Sequence, residues 1–410
     1  MVMSIDKTVG YAYPWDFAGD PDAPARAAEV GVDVVALAAA YHTTRVPTPQ
    51  HPTRRLMTTP HAACYLPVRQ SAWQGRRLTP RFADWLGEPD PFGAAAKAIR
   101  GHGLGVYAWM VFTHSSVLGA ANPDLVVRNA FGEPYEYALC PSAEEVVDYC
   151  ATLASEIVVT GEPDGVILEA CGRLGIDHGG HHDKVDFAQW TATQKRLLSL
   201  CFCAACEQLY AGAGIDARRL AAQVRSCVDV DGAGPESVEE ALGADLAEAL
   251  ARVLADTAVT IRRRVVDSAR ATRPDLPVTL HGAADRWATD AFTAIGGPLG
   301  SDVDSVVANC WAGGDAAVAR LREMSAAVGD DIAVGGYFRP DTVRPPEGPS
   351  LEDWAGEFAA AGLSELHLYH LGLVPRSASA VLRALVAAAK LPHPQRAGAT
   401  RANESQIGGL

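Results

Sequence analysis

Glu169 is the residue of this 410-residue sequence whose type and position most strongly suggest chemistry. It ends the apolar run DGVILE, and burying an ionised carboxylate costs free energy unless the group has a partner or a task. Partial burial would also raise its pKa, which a general acid needs near neutral pH. We therefore expect a catalytic glutamate. The structural alternative is a salt bridge with Arg173 or a hydrogen bond to a neighbouring strand.

A second acidic residue should accompany Glu169 if the reaction breaks a glycosidic bond, because that chemistry uses two carboxylates. Asp285 and Asp16 are the main candidates, since each follows a predicted strand. Either could instead bind a sugar hydroxyl or cap a helix. The separation of the two carboxylates would decide between inversion and retention.

Aromatic and hydrogen-bonding residues follow most of the predicted strands. This mixture suits a polyhydroxylated ligand, because rings stack on the C–H faces of a sugar and hydroxyl groups need directional polar partners. Each aromatic residue could also simply fill the end of a barrel. The predicted substrate-binding residues are Tyr13, Trp15, His42, Trp109, His114, His181, His182, His281, Trp287, Asn309, Trp311, Tyr337, Arg339 and His370.

The segment from His178 to Lys184 holds three histidines within five residues, followed by Asp183. Histidine and carboxylate side chains bind divalent metals, so one interpretation is a metal site. His181 and His182 could instead contact the substrate, and a structural role is the third alternative.

Nine cysteines are an odd number in a chain whose first residues contain no apolar export signal, which disfavours a disulfide framework. Cys201, Cys203 and Cys206 form a C-x-C-x-x-C motif. Three thiolates at this spacing can bind one zinc ion, and Cys140 is the best candidate for the fourth ligand. The alternative is a group of buried thiols near the start of a helix.

Eight short apolar runs, each followed by an alanine-rich helical stretch, must position these residues. Continuous apolar runs are typical of parallel strands that are buried on both faces. They predict an α/β fold, a (β/α)8 TIM barrel with a helical insertion after strand 4. A doubly wound sheet has less support, because no G-x-G-x-x-G follows the first strand. The runs cover residues 8–13, 32–38, 105–111, 165–169, 277–281, 304–309, 332–337 and 365–369.

We expect residues 1–391 to form a single barrel domain with insertions at about 46–92 and 172–272. The second insertion shows helical spacing over 187–211, 217–227 and 236–270. The last of these helices could cover the barrel or make a subunit contact, so a homo-oligomer is possible. The polar tail at 392–410 is expected to be disordered.

Three linked segments resemble glycoside hydrolase family 42 and related barrel hydrolases: the Cys-Pro pair at Cys140, the strand ending in Glu169, and the segment from Cys201 to Cys206. The resemblance covers roughly residues 122–210. It implies that Glu169 is the acid/base residue and that the four cysteines bind a structural zinc. The family has asparagine where this chain has Leu168, and a nucleophilic glutamate at the end of strand 7, where this chain has no carboxylate.

The overall charge narrows the possible partners. Lysine and arginine number 35 against 49 acidic residues, which gives a net charge of −14 and disfavours nucleic acid and anionic membranes as partners. No apolar run approaches the length of a membrane span, and we expect a cytoplasmic protein. The leading hypothesis is a glycoside hydrolase of a small glycoside or oligosaccharide, without an organic cofactor. The alternatives are a metal-dependent hydrolase or lyase that uses the 178–183 loop, and a non-catalytic sugar-binding barrel.

Overall fold

The computed structural model describes residues 2–3, 5–178, 184–229, 234–340 and 350–394. Eight parallel strands close into a barrel surrounded by helices, so the predicted (β/α)8 fold is confirmed. Each predicted run overlaps one of these strands. They are β1 (Lys7–Ala12), β2 (Val34–Tyr41), β3 (Gly105–Val111), β4 (Gly165–Glu169), β5 (Val278–Ala283), β6 (Ser305–Asn309), β7 (Ala333–Phe338) and β8 (Glu365–Leu368).

The barrel strands pair in chain order, and β8 pairs with β1 to close the ring. Nearly all of their residues are buried, because helices cover the outer face and side chains fill the interior. All carboxyl ends therefore meet at one end of the barrel, where the residues that follow the strands form a single surface.

Fourteen α-helices lie within the described ranges, and local sequence signals fix several of their ends. The α4 helix begins with a proline at its first position, and the Asp90 side chain accepts a hydrogen bond from the Gly93 N–H at 2.9 Å. The helices are α1 (Pro14–Phe17), α2 (Ala23–Val30), α3 (Gln70–Trp73), α4 (Pro91–Arg100), α5 (Ser116–Ala121), α6 (Glu144–Gly161), α7 (Ala192–Leu198), α8 (Ala204–Gly212), α9 (Ala217–Val228), α10 (Val238–Leu242), α11 (Ala244–Thr272), α12 (Gly314–Val328), α13 (Leu351–Ala360) and α14 (Ser379–Ala389).

The shorter elements lie in the connections between barrel strands. Three single-turn 3-10 helices cover Asp84–Leu86, Val185–Ala188 and Arg376–Ala378. Antiparallel pairs join Arg45–Pro47 to Leu56–Thr58 and Val126–Arg128 to Pro134–Leu139. Further short strands are Val2–Met3 paired with His393–Pro394, Ala63–Cys64 beside β2, and Thr293–Ala294 beside β5.

The insertion after β4 contains shorter helices than the sequence spacing predicts. The predicted helix over 187–211 is interrupted between α7 and α8, where the chain carries Cys201 and Cys203. The predicted helix over 236–270 is divided at Gly243, whose φ of 84° lies outside the helical range. The 29-residue α11 packs along α6 at the barrel's outer surface.

Two further findings concern the ends and surface of the chain. No helix within the described ranges is long and apolar enough to cross a membrane. Residues 395–410 of the predicted tail lie outside the described residues, so the division at 391 stays a prediction.

Candidate active site

A cavity of about 720 Å³ lies at the carboxyl ends of the barrel strands, which is where barrels of this kind carry reactive groups. Rings and hydrogen-bonding groups alternate around it, and two carboxylates, Glu169 and Asp290, are among its walls. Its lining consists of Tyr41, His42, Thr43, Thr44, Arg45, Thr58, Trp109, His114, Ser116, Tyr137, Glu169, His178, Asp290, Ala291, Phe292, Asn309, Trp311, Tyr337 and Tyr369.

Glu169 is the last residue of β4, and its side chain is 7% exposed. Trp109 on the adjacent strand β3 donates a hydrogen bond from Nε1 to Glu169 Oε2 at 2.7 Å. His281 Nδ1 lies 3.2 Å from the same oxygen, at ion-pair distance. Both contacts use Oε2, which leaves Oε1 as the oxygen that a ligand can approach.

The pKa of Glu169 is lowered, so the prediction of a raised pKa is wrong. Burial raises the pKa, but the contact with His281, the electrostatic interactions with His281 and His42, and the Trp109 hydrogen bond together outweigh it. Glu169 is therefore an ionised carboxylate at neutral pH. Its neighbours explain the difference, because the sequence placed Glu169 on a buried strand without showing which groups face it.

Asp290 is the second carboxylate of the cavity and belongs to the segment after β5. Its Oδ1 accepts a hydrogen bond from the Phe292 N–H at 2.5 Å. Burial, with a contribution from the negative charge of Glu169, raises the pKa of Asp290. The two carboxyl groups that line this cavity thus have pKa values displaced in opposite directions.

Seven of the predicted catalytic and substrate-binding residues line the cavity, and they come from strands spread around the barrel. Glu169 ends β4, while Asn309 and Tyr337 lie on β6 and β7, two and three strands further around the ring. These seven residues are Glu169, His42, Trp109, His114, Asn309, Trp311 and Tyr337.

The structure does not bring the two predicted partner carboxylates, Asp285 and Asp16, to Glu169. Asp285 lies outside the cavity lining and accepts an ion-paired hydrogen bond from Arg196 at 2.6 Å. Asp16 accepts a hydrogen bond from the Tyr13 backbone N–H at 2.8 Å and lines a separate, much smaller cavity. Burial raises the pKa of Asp16 to about 7. This carboxylate organises the start of α1 and does not face the large cavity.

Other predicted substrate-binding residues lie beneath or beside the cavity. Tyr13 is buried and stacks between Trp15 and His370, with ring centroids 4.3 Å from each. Trp287 is buried outside the lining. The Arg339 guanidinium lies 5.6 Å from the centre of the Trp311 ring.

His281 is also buried outside the lining, where it contacts three lining residues: Glu169, Phe292 and Tyr337. His181, His182 and Asp183 lie outside the described residues.

Sequence reasoning missed Asp290 and the residues that the 46–92 region and its flanks contribute, such as Arg45 and Thr58. These residues occur in connections without a periodic pattern, where spacing carries no information about which way a side chain points. The only sequence signal for a second carboxylate was its position in strand order, which made any acidic residue after β5 a candidate. That signal favoured Asp285, which lies five positions too early.

Buried polar atoms of the cavity wall lack partners within the described part of the chain. Trp311 Nε1 and His114 Nδ1 are both buried without a hydrogen bond. Buried polar groups are nearly always satisfied, so these two atoms are available to hydrogen-bond a ligand in the cavity. Burial lowers the pKa of His42 to about 4 and that of His114 well below its usual value, so both rings are neutral at pH 7.

The four predicted zinc ligands meet at a second site, away from the cavity. Cys140 follows the strand Pro134–Leu139, while Cys201, Cys203 and Cys206 surround the start of α8. All four are buried, and their sulfur atoms lie within 4.8 Å of one another. Cys140 Sγ is 3.5 Å from Cys206 Sγ and 3.6 Å from Cys203 Sγ.

The sulfur geometry fits a tetrahedral metal site. Four thiolates at about 2.3 Å from a zinc ion lie about 3.8 Å apart, close to the observed separations. The backbone N–H groups of Arg128 and Cys203 each donate to Cys201 Sγ at 3.4 Å, which stabilises a thiolate. Within the described ranges, no other group of three or more histidine, cysteine, aspartate or glutamate residues brings its ligand atoms close enough together to hold a metal ion.

Comparison with known proteins supports the fold. No family model matches the sequence, and no curated protein matches it. The catalytic domain of a β-amylase from Paenibacillus polymyxa superposes with a TM-score of 0.55 at 10% identity, covering 95% of this chain and 100% of that one. The PgaB (BpsB) glycoside hydrolase domain from Bordetella bronchiseptica gives 0.53 at 14% identity, covering 93% and 98%.

A β-galactosidase from the psychrophilic Marinomonas ef1 gives a TM-score of 0.52 at 11% identity, covering 93% of this chain and 59% of that chain. At these identities the likeness establishes the barrel fold, and the neighbours that share it are glycoside hydrolases. Membership of glycoside hydrolase family 42 stays a prediction.

Proposed function

We propose that the protein is a glycoside hydrolase in which Glu169 and Asp290 are the catalytic pair. The observation that carries this proposal is that two carboxyl groups, Glu169 and Asp290, line one ring-lined cavity at the carboxyl ends of the strands. The displacement of their pKa values in opposite directions supports it. Carboxyl groups whose environments separate their pKa values are the usual basis for dividing acid and base roles. Fold similarity to glycosidases agrees with the proposal but does not carry it.

The proposed mechanism assigns the proton to Asp290. Asp290 protonates the leaving glycosidic oxygen as the bond to the anomeric carbon breaks, and the Glu169 carboxylate stabilises the positive charge that develops on the sugar ring. Water then supplies the hydroxyl of the product and returns a proton to Asp290. The anomeric configuration of the first product, read by NMR, distinguishes attack by Glu169 from attack by a water that Glu169 activates.

The lining suits a neutral sugar. Trp311 supplies a flat apolar surface, while Asn309 and the neutral histidines His42 and His114 supply hydrogen-bonding groups. We therefore expect a panel of neutral aryl glycosides and short oligosaccharides to contain a substrate. Binding across the panel without turnover would favour the non-catalytic sugar-binding alternative.

Replacing Asp290 tests the assignment of the proton donor. We expect Asp290→Asn to lower kcat about 10²- to 10³-fold on a substrate with a poor leaving group. The loss should be much smaller on a nitrophenyl glycoside, whose leaving group needs little protonation. Asp285→Asn is the matched control, since Asp285 lies in the same segment but outside the cavity, and it should leave both rates near those of the wild type.

The pH profile adds a second measurement on Asp290→Asn. Activity requires protonated Asp290, so it is lost as pH rises through the raised pKa of that group. It also requires ionised Glu169, so it is lost as pH falls through the lowered pKa of Glu169. Because asparagine cannot ionise, the alkaline limb of kcat/KM should disappear in the variant. An unchanged alkaline limb would remove Asp290 from the mechanism.

We also propose that the four clustered cysteines hold a structural zinc ion. Zinc would tie the strand Pro134–Leu139 to the start of α8 and thereby anchor the insertion after β4. The proposal rests on the four converging sulfur atoms, none of which belongs to the cavity lining. Metal analysis of the purified protein should find one zinc per chain.

A further inference from the structure

A chain of polar side chains crosses the barrel interior from Glu169 to the opposite end. His281 Nδ1 lies 3.2 Å from Glu169 Oε2, and His281 Nε2 lies 2.7 Å from the Tyr11 hydroxyl. That hydroxyl lies 3.0 Å from His367 Nδ1, and His367 Nε2 lies 3.2 Å from Glu365 Oε2. The chain therefore links a carboxylate at the carboxyl end of β4 to a carboxylate at the amino end of β8.

Lys7 ends the chain at the amino-terminal mouth of the barrel, where its Nζ donates to Glu365 Oε1 at 2.6 Å. The register places Lys7 directly beside Glu365 in the β1–β8 pair. Tyr11 and His281 are fully buried and His367 is 1% exposed, whereas the Lys7 side chain is 30% exposed. One end of the chain thus reaches solvent and the other reaches the cavity.

The barrel makes room for this chain with a strand glycine. A Cβ atom at Gly335 on β7 would lie 3.1 Å from two atoms of the His367 ring and 2.9 Å from a Val307 methyl group. Gly335 therefore leaves room for an imidazole inside the barrel.

Counting protons shows that the chain needs one more than its neutral side chains supply. If each histidine turns a protonated nitrogen toward its carboxylate, His281 Nε2 and His367 Nδ1 are left facing the same Tyr11 oxygen. With both rings neutral, both of these nitrogens are acceptors, and the tyrosine has a single proton to donate. Three protons satisfy the three hydrogen bonds of the chain when His281 Nε2 donates to Tyr11, Tyr11 donates to His367 Nδ1 and His367 Nε2 donates to Glu365. His281 Nδ1, which is buried without a hydrogen-bond partner, then directs a lone pair at Glu169 Oε2 3.2 Å away. A fourth proton on this nitrogen, which makes one ring an imidazolium, replaces that repulsion with an attraction.

The charges of the buried cluster also call for one extra proton. Glu169 and Glu365 contribute two negative charges and Lys7 contributes one positive charge, so one imidazolium makes the buried cluster neutral. Buried charges are tolerated when they are paired, and an uncompensated one is costly. The pKa of Glu365 is lowered to about 2, because His367 and Lys7 outweigh its burial.

We propose that His281, Tyr11 and His367 share a single resident proton, and that Glu365 and Lys7 at the far end of the barrel control how strongly this proton is held beside Glu169. When the proton passes from His281 Nε2 to the Tyr11 oxygen, the Tyr11 proton passes to His367 Nδ1. The imidazolium moves from β5 to β8, and no proton is gained or lost. His281, Tyr11, His367 and Glu365 are thus positioning residues.

The catalytic consequence rests on the function proposed above. In the free protein the imidazolium on His281 keeps Glu169 ionised. As positive charge develops on the sugar, it repels this imidazolium, and transfer to His367 leaves the full negative charge of Glu169 facing the sugar. Lys7 already neutralises Glu365, whereas Glu169 faces His281, so His281 is the resting position of the imidazolium.

Other titratable groups contact the chain and must be considered in any titration. Tyr107 lies beside Lys7, Tyr337 packs against Tyr11 and His281, and His42 and Asp290 act on Glu169. Burial raises the pKa values of both tyrosines, so they stay neutral through the range in which histidine titrates. The two cavity groups are therefore the ones whose ionisation can be confused with that of the shared proton.

The decisive experiment follows the histidine ring nitrogens of the full chain by long-range ¹H–¹⁵N correlation after ¹⁵N-histidine labelling, with His281→Asn and His367→Asn for assignment. We expect one shared extra proton on this pair at pH 7. Glu365→Gln should lower the pH at which His281 loses it by about one unit, as expected for the loss of a nearby negative charge. Two rings that stay neutral between pH 5 and pH 8 would overturn the proposal.

The variant Tyr11→Phe distinguishes proton transfer through the Tyr11 hydroxyl from a direct electrostatic effect of Glu365 on His281. Phenylalanine keeps the ring packing on Trp109 and Tyr337 but removes the shared hydroxyl. Glu365→Gln should then no longer shift the His281 titration, whereas an effect of equal size in the presence of Tyr11→Phe would overturn the relay. Thr279→Val is the matched control, because it removes another buried interior hydrogen bond, to Ser305 at 2.8 Å, and should leave the His281 titration unchanged.

Kinetics give a second readout once a substrate is known. Glu365→Gln should lower kcat about tenfold with KM unchanged, because the relay acts on charge that develops in the transition state. Combining it with Tyr11→Phe should cost no more than Tyr11→Phe alone, and additive losses would count against the relay. The ring titrations do not require turnover, so inactivity on every glycoside would overturn the proposed function while leaving the shared proton established.

Discussion

Replacing Glu169 with glutamine should abolish turnover while leaving ligand binding nearly intact. Glutamine keeps the size of the side chain and an oxygen that can accept from Trp109 Nε1. It removes the negative charge that the proposed mechanism needs opposite the sugar cation. We expect kcat to fall about 10³-fold or more, equivalent to roughly 4 kcal/mol of transition-state stabilisation.

The measurement pairs steady-state kinetics of Glu169→Gln with calorimetric binding of the sugar that the wild type releases. If the variant binds the sugar with wild-type affinity but has lost turnover, Glu169 acts in the catalytic step, because its negative charge is then needed only when positive charge develops on the sugar. Asp285→Asn again provides the control, because it removes a carboxylate that is already neutralised by Arg196. Turnover within threefold of the wild type in Glu169→Gln would end the hydrolase proposal.

Replacing Cys203 with serine should remove the zinc ion and destabilise the protein strongly. The hydroxyl of serine is a poor zinc ligand at neutral pH, and three remaining thiols would be left crowded within 4.8 Å in a buried space. Loss of a structural metal is among the few single changes that cost on the order of 5 kcal/mol in the free energy of unfolding. Elemental analysis and thermal unfolding measure the two effects together.

Cys150→Ser is the matched control for the zinc prediction. Cys150 is equally buried but lies on α6 and is not part of the cysteine cluster. The variant should retain one zinc per chain and lose only about 1–2 kcal/mol of stability, the usual cost of a buried polar replacement. If wild-type protein prepared in the presence of zinc contains none, the cluster is a group of four buried thiols and the zinc proposal is wrong.

The barrel itself could be predicted because its signal is local. A parallel strand buried on both faces must be apolar along its length, and eight such runs separated by helical stretches leave few other arrangements. The helix boundaries in the insertion after β4 were predicted less accurately than the strands. The break at Gly243 depends on a single backbone conformation. The break before α8 occurs at Cys201 and Cys203, whose sulfur atoms meet that of Cys140 from a distant part of the chain.

Only one member of the proposed catalytic pair could be predicted from the sequence. Glu169 was found because its strand determines its position, whereas Asp290 lies in a connection whose course depends on what it packs against. The direction of the Glu169 pKa shift also depended on a neighbour. His281 is more than 100 positions away in the chain, and only barrel closure brings it within 3.2 Å.

The sequence by itself determined the eight strands, the end of the barrel at which reactive groups collect, and the four cysteines that converge. The strands and the motif formed by Cys201, Cys203 and Cys206 follow from short-range patterns that burial and metal geometry impose on residue types, whereas Cys140 was selected as the best candidate from a distant part of the chain. Only the tertiary structure decided which carboxylate faces Glu169, which charge state its neighbours favour, and which groups connect it to Lys7. Those properties arise from distances between side chains on different strands, and such distances exist only once the barrel has closed.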